Sequence, residues 1–427
     1  MKRYDSYKDS GVESLGVVPE SWNTSRFKYH HIENDETVGE DSSNFPLLSL
    51  TKRGVILRDV ESGKGKFPES FDNYKIIEHN DLIFCLYDIE ETPRTVGISE
   101  NYGMITGSYK IFKTKDTVLP KFTYFTYLVI DDVKGLKPYY TGLRNVIRPE
   151  TFKNLPFNFP PLSEQKQIVS FLDTKTSLID SLIEKTQRKI ELLKEKRTSL
   201  INEVVTKGLN PNVEMKDSDV EWIGEIPSHW DMVKYKNLGD RTTISIGVED
   251  FNDTDVIHYS IPNVQTFGKG VKEFGGDIDS SKLLFKGGEL IISKLNPRKS
   301  CVSIVESLEN EVIVGSGEFV VLTPKRTDIK FLFYFLKNQT FTDYLDSSVE
   351  SVTRSHQRVN PSIIYNTFVP LPPHPEQQQI VSYLDEQTHL IDNTISIEEK
   401  RIELLKEYRQ SLISEVVTGK IKVTTNE

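Results

Sequence analysis

Two stretches of the chain carry apolar residues at alternating steps of three and four. In the first, Ile168, Leu172, Ile179, Leu182, Leu193, Leu200 and Val204 share a face, interrupted by Lys175, Thr186 and Arg197. In the second the face is Ile380, Leu384, Ile391, Leu405, Leu412 and Val416. Such steps, kept up over about five heptads, predict a coiled-coil seam. Pro160-Pro161 and Pro372-Pro373 stand before the two stretches, and Gly208 and Gly419 stand after them. About 42 residues at ~1.5 Å each make a rod of ~60 Å. A rod this amphipathic must cover its apolar face, and the economical partner for each is the other, running antiparallel.

The remainder of the chain has shorter signals. Lys75-Ile-Ile77, Leu82-Ile-Phe-Cys85, Tyr109-Lys-Ile-Phe112 and Glu318-Phe-Val-Val-Leu322 read as strands between Gly, Asn and Asp turns. The aromatic runs Phe122–Leu128 and Phe331–Leu336 fit buried helices, although their periodicity also admits strands. These regions predict mixed α/β globules.

The whole pattern is written twice. Gly16-Val-Val-Pro19-Glu-Ser-Trp22 returns as Gly224-Glu-Ile-Pro227-Ser-His-Trp230, displaced by 208 residues. Asp81-Leu-Ile-Phe84 matches Glu289-Leu-Ile-Ile292 at the same displacement. From Pro149, which matches Pro361, the displacement is 212, and residues 164–206 share 27 of 43 positions with 376–418. The expected fold is therefore α+β with a pseudo-twofold internal repeat. Globules at 1–160 and 211–372 are separated by long helices at 161–210 and 373–427, which pair as an antiparallel coiled coil. Similar rods would present one docking surface twice, whereas divergent globules would read two different things.

Gly16–Trp22 and Val220-Glu-Trp-Ile-Gly-Glu-Ile-Pro-Ser-His-Trp230 resemble the openings of the target-recognition domains in type I restriction-modification specificity subunits. Leu155-Pro-Phe-Asn-Phe-Pro-Pro-Leu-Ser-Glu-Gln165 and Val369-Pro-Leu-Pro-Pro-His-Pro-Glu-Gln377 resemble the proline-rich lead into that family's helices, and Glu191–Glu195 and Ser199–Val205 resemble their remainder. The first opening lacks the acidic residue of Gly224-Glu-Ile-Pro227. The resemblance implies that each recognition domain reads one half of a bipartite double-stranded DNA target and that the helices set the spacer. It implies two methyltransferase (modification) subunits docked on the helices, with restriction subunits joining them. S-adenosylmethionine, ATP and magnesium would belong to those partners, with no cofactor in this chain.

The residues themselves give little sign of catalysis. Ser62-Gly-Lys-Gly-Lys66 has the wrong spacing for a phosphate loop, and Asn158-Phe-Pro-Pro161 is not the Asn-Pro-Pro-aromatic motif of base-amino methyltransferases. The adjacent His30 and His31 lack metal-ligand spacing, and Cys85, near His79, reads as core. Two cysteines 216 positions apart make no disulfide framework, so a reducing cytoplasm is expected. No run of ~18 apolar residues suggests a membrane helix.

DNA contact calls for Arg and Lys on phosphates, and for planar forks and amides on base edges. Three polar sets, present in both halves, fit. Before Pro149 stand Arg144, Asn145 and Arg148; before Pro361 stand Arg354, His356, Gln357 and Arg358. A second set joins Lys52 and Arg53 with Gln265 and Lys269, and a third joins Arg94 with Asn296, Arg298 and Lys299. An ordinary solvated loop is the competing reading of each. Tyr109, Trp22 and Trp230 read as core or fold anchors.

Charge sharpens the picture. The chain has 53 basic and 63 acidic side chains, net −10. Residues 1–160 hold 21 basic and 23 acidic, 161–214 hold 9 and 8, 215–372 hold 17 and 22, and 373–427 hold 6 and 10. No segment has the basic footprint of a DNA binder acting alone, so partners are expected to supply much of the phosphate neutralisation. Two other readings compete: a self-contained restriction or modification enzyme with duplicated domains, and a structural coiled-coil tether whose globules bind proteins.

Overall fold

A computed structural model describes residues 2–58, 68, 70–142, 145–349 and 357–423. The turn at Ser62–Lys66 lies outside the described residues. The chain forms two compact units, residues 1–186 with 400–427 and residues 187–399.

The first unit opens on a hairpin of β1 (Tyr7–Asp9) and β2 (Val17–Pro19), followed by β3 (Asn23–Arg26) and β4 (His31–Asn34). Then come β5 (Leu48–Thr51), β6 (Gly54–Leu57), β7 (Lys75–Ile77), β8 (Leu82–Phe84), β9 (Val96–Ile98), β10 (Gly103–Ile105) and β11 (Lys110–Thr114). The helices α1 (Pro120–Asp132) and α2 (Pro149–Lys153) precede β12 (Pro156–Phe159), which pairs with β3 and leads into the long α3 (Leu162–Lys207). Its principal sheet is antiparallel in the order β4-β11-β8-β9.

The central strand explains the layering. Leu82, Ile83 and Phe84 are all buried, because successive side chains leave opposite faces and both faces are covered. Leu82, Phe84 and Phe112 enter a core with Phe122, Tyr127 and Phe152. Ile83 and Ile111 enter a second core with Leu48, Val55, Ile77 and Ile105.

The second unit repeats this plan. It holds β13 (Met215–Asp217), β14 (Glu225–Pro227), β15 (Asp231–Lys234), β16 (Gly239–Asp240), β17 (Ile244–Ile246) and β18 (Asp255–Tyr259). After the short α4 (Ile261–Phe267) come β19 (Val271–Phe274), β20 (Lys282–Phe285), β21 (Leu290–Ser293), β22 (Val302–Ile304), β23 (Val312–Gly315) and β24 (Phe319–Pro324). It closes with α5 (Ile329–Leu336), α6 (Gln339–Ser347), α7 (Pro361–Asn366), β25 (Phe368–Leu371) and α8 (His374–Val417). The sheet order β16-β24-β21-β22 is that of the first unit. Leu290 and Ile292 face the helical core, and Ile291 faces the other. The second layer differs: five strands, β17-β20-β23-β18-β19, replace the β5–β6 hairpin and the β7–β10 pair. The aromatic runs form α1 and α5, as buried helices.

Both long helices end on a glycine that admits a tryptophan. Gly208 (φ +73°) would place a Cβ 3.1 Å from Trp230, and Gly419 (φ +68°) would place one 2.3 Å from Pro19 and 3.2 Å from Trp22. Both indoles are fully buried. The Trp22 indole N–H donates to Glu164 Oε1 at 3.2 Å. The expected role of the two tryptophans as anchors agrees with this packing.

Within each unit the two helices run antiparallel. In the first, Ile168, Leu172 and Ile179 of α3 share a core with Leu412, Ile413 and Val416 of α8, and Arg409 forks onto Asp180 at 2.9 and 3.2 Å. In the second, Arg197 forks onto Asp392 at 2.9 and 3.2 Å, and Lys189 meets Glu398 at 2.5 Å. Asp180–Arg409 and Asp392–Arg197 are one pair seen from its two copies, displaced by 212. Half-exposed ion pairs are worth about 0.2–1 kcal/mol, whereas each buried seam residue contributes about 1.5–3 kcal/mol. The seam therefore stabilises and the forks set its register. One seam assignment is corrected: Leu182 is 41% exposed, and its neighbour Ile183 packs inward instead. Ile190 and Ile395 in the second unit and Ile402 in the first are also buried.

His31, at the start of β4, is buried with its ring stacked on Phe27 at 3.8 Å; Nδ1 meets Phe27 O at 2.9 Å and Nε2 meets Thr123 Oγ1 at 3.0 Å. Burial pushes its pKa down to about 4 from the usual 6.5. The unfolded chain then binds more protons between those values, so stability is full above pH ~6.5 and falls with acidification towards pH 4. Between pH 7 and 5 the unfolding transition of the first unit is expected to lose about 2 kcal/mol. His31→Gln should remove that slope in denaturant titrations.

Candidate nucleic-acid interface

The strongest local feature occurs once in each unit and joins two of the three polar sets. In the first unit, the chain leaving β8 meets the segment before α2. Tyr87 bridges Val146, Ile147 N donates to Leu86 O (2.8 Å), and Asp88 N donates to Asn145 O (3.2 Å). In the second, the chain leaving β21 meets the segment before α7. Leu295 bridges Arg358, Val359 N donates to Lys294 O (2.9 Å), and Asn296 N donates to Gln357 O (2.7 Å). Each partner is displaced by 208 on one loop and 212 on the other. The two loops of each unit thus form one platform at the C-terminal end of a doubly buried strand.

Side chains on the platforms differ. On the second, Arg298 and Lys299 are exposed and make no ion pair among the described residues. Gln357 N donates to Asn296 Oδ1 at 3.2 Å, joining the two loops through a side chain. Arg358 is exposed and forks onto Glu318, with Nη2 to Oε1 at 2.8 Å. That bond lowers the Glu318 pKa and raises that of Arg358. Lys294 donates to Gly317 O at 3.1 Å. On the first platform Asn145 and Arg148 are exposed. Arg144, Arg354 and His356 lie outside the described residues.

Arg94 turns into the fold instead of outward. Its Nη1 donates to Asp131 Oδ2 (3.0 Å) and Asp132 Oδ1 (2.8 Å) at the end of α1. Burial would lower its pKa, but the contacts with Asp132 and Asp131 outweigh this and raise it. Asp131 is almost fully buried and also accepts from Thr95 N (3.1 Å), Thr95 Oγ1 (2.5 Å) and Lys134 Nζ (2.9 Å). Lys134 reaches on to Thr92 O at 2.8 Å. One carboxylate thus fastens the 85–95 loop to the helix behind it. Sequence reasoning missed Asp131, since an acidic residue closing a helix carries no signal of what it will hold.

The remaining set stands apart in the first unit. Lys52 and Arg53 are exposed at the β5–β6 turn. Arg53 lines a groove with Ile98, Glu100, Asn101, Lys121 and Asp173. Because β9 runs antiparallel to β8, with Leu82 opposite Ile98 and Phe84 opposite Val96, that groove lies at the end of β9 away from the platform. In the second unit, α4 and its cap lie beside the 293–301 loop. Cys301 Sγ contacts Ile261 O at 3.9 Å, and Ser303 Oγ donates to Gly268 O at 2.8 Å. Gln265 and Lys269 are left exposed there.

Other singled-out residues belong to the core. Cys85 and Cys301 are buried free thiols, the latter pushed up to about 12 by burial. Tyr109 is half-buried and stacks with Tyr87 at 6.2 Å, beside the first platform. Among the described residues no group of three or more His, Cys, Asp and Glu could hold a metal ion, and no helix is long and apolar enough to cross a membrane.

The model of the family described as type I restriction modification DNA specificity domain matches residues 49–192 and 227–407, most of both repeats. The chain belongs to this family. Its function is DNA recognition in a type I restriction-modification system, and the family is one of non-catalytic specificity subunits. It is 28% identical over 295 residues to the type I restriction enzyme MjaVIII specificity subunit of Methanocaldococcus jannaschii, covering 66% of each chain. It is 24% identical to the putative MjaX specificity subunit of the same organism, covering 98% of each. Among solved structures, a chain from a study of complex assembly and conformational transition of the type I R-M system is similar. That similarity covers 95% of this chain and 99% of the other, with a TM-score of 0.66 and 14% identity, a likeness of fold alone.

Two outcomes follow for a subunit of this kind. Asp131→Ala leaves Thr95 N–H without its acceptor and Arg94 Nη1 with Asp132 alone. It should cost on the order of 3 kcal/mol and speed amide exchange across residues 88–95. Replacing Arg298 and Lys299 with Ala should weaken DNA binding and flatten the dependence of log K on log salt by ~0.9 for each phosphate no longer neutralised. Titrations at several salt concentrations measure this directly.

Proposed function

We propose that the two platforms are the DNA-reading surfaces and that each reads one half of a bipartite target. The observation carrying this reading is the repetition. The same pair of loops is joined by the same backbone bonds in both units, yet it carries Asp88, Asn145 and Arg148 in one and Asn296, Arg298, Lys299 and Arg358 in the other. A shared frame with different polar side chains suits two readers of unlike half-sites. Lys52, Arg53, Gln265 and Lys269 serve as flanking contacts in this reading, and Arg94 acts by holding its loop. Arg144, Arg354 and His356 keep their place in the proposal on sequence alone.

The long helices α3 and α8, each contributing residues to both units, set the spacer. They dock two modification subunits, one on each copy of the helical sequence, with restriction subunits joining the assembly. S-adenosylmethionine, ATP and magnesium act in those partners. The workplace is the cytoplasm, where Cys85 and Cys301 would stay reduced.

The test is selection from a randomised duplex pool with the chain and its modification subunits together. A split sequence with a fixed gap is expected. Replacing residues 1–155 by those of another family member should change one half only. Recovery of an unbroken sequence, or of changes in both halves, would show the two-reader assignment to be wrong. The chain alone should bind the recovered duplex far more weakly than the assembly.

A further inference from the structure

One position on the platforms is the same in both units except for its side-chain chemistry. Asp88 and Asn296 are displaced by 208 residues. Both have left-handed backbones, with φ +44° and +50°. Both donate their N–H to the neighbouring loop, at Asn145 O and Gln357 O, and both carbonyls accept from residues three or four ahead. The left-handed region favours Gly, Asn and Asp over all other residues. Conformation therefore restricts this position to very few side chains and leaves open which hydrogen-bonding group it shows.

The two copies show different groups. The Asp88 side chain is exposed and makes no hydrogen bond or ion pair among the described residues. It can only accept. A carboxylate is repelled by phosphate, so on a DNA surface its favourable partner is an exocyclic amino group in the major groove. Asn296 Oδ1 accepts from Gln357 N and keeps a second lone pair, while Nδ2 makes no hydrogen bond among the described residues. It thus offers a donor and an acceptor side by side, the pattern that matches adenine N7 and N6. The cations for phosphate stand close by in sequence on the same platform, at Arg298 and Lys299.

We propose that this position reads a base in each half-site. Asp88 takes cytosine through its N4 amino group, and Asn296 takes adenine. The proposal rests on the two-platform reading above and assigns the bases that reading leaves open.

The experiment is pool selection and sequencing with the assembled complex, comparing the unaltered chain with D88N, D88A and N296D. Asn and Asp are both at home in the left-handed region, so D88N and N296D keep the fold. D88N should move the preference at one base pair of one half from cytosine to adenine by about tenfold and leave the other half unchanged. N296D should make the reverse change in the other half, and D88A should flatten the preference at the Asp88 position. Unaltered base preferences in all three variants overturn the proposal and leave backbone conformation as the reason for these residues. Weaker assembly with unaltered preferences also overturns it, by placing Asp88 against a partner subunit. If the unaltered chain selects no split sequence, the two-reader assignment falls and this one with it. Selection by the unaltered chain alone removes only the base assignment.

Discussion

Burial of both faces of one central strand is the constraint on which the candidate interface depends. Leu82–Phe84 and Leu290–Ile292 each send alternate side chains into two separate cores, so these strands cannot tilt or slide without opening both. The loop that leaves such a strand starts from a fixed point and direction. It is then joined to a second loop by a β-bridge and two further backbone bonds. A reader of base edges needs that rigidity, since a fork displaced by an ångström loses its geometry. The cost is that the loops must be tied down individually, and the units do this differently. The first uses the buried Asp131 with Arg94, Thr95 and Lys134; the second uses the Asn296–Gln357 bond and the Glu318–Arg358 fork.

Much of this is legible in the chain before folding. The 208- and 212-residue displacements, the two amphipathic stretches and the apolar runs at Leu82 and Leu290 are properties of local pattern, and local pattern survives folding. The heptad spacing points to Leu182 where Ile183 packs, because seam membership depends on the partner helix and the two neighbours are equally apolar. Arg94 cannot be told from Arg298 by sequence, since both follow a buried strand and only the position of Asp131 and Asp132 separates them. The Asp88–Asn296 equivalence is present in the displacement alone. It carries no apolar signal, however, and its meaning comes from the φ angles and shared carbonyl partners that the fold supplies.

The net charge of −10 takes on a different sense once the ion pairs are placed. Many of the cations are already engaged: Arg94 with Asp131 and Asp132, Lys75 with Asp35, Arg197 with Asp392, Arg409 with Asp180, and Lys121 and Lys330 with Asp173 and Asp385. Those pairs are spent on register and on fastening loops, and a salt-bridged guanidinium adds little to the field felt by a phosphate. On the two platforms Arg148, Arg298 and Lys299 are exposed and make no ion pair among the described residues. In the proposed reading this arrangement contributes selectivity, and partner subunits supply most of the counterion-release energy. It also limits non-specific binding by the free chain, because sequence-independent attraction scales with the phosphates neutralised. A strongly basic recognition subunit would be held by any DNA it met. One in which acidic side chains outnumber basic ones, 63 to 53, depends in the proposed reading on subunits that bring positive charge of their own.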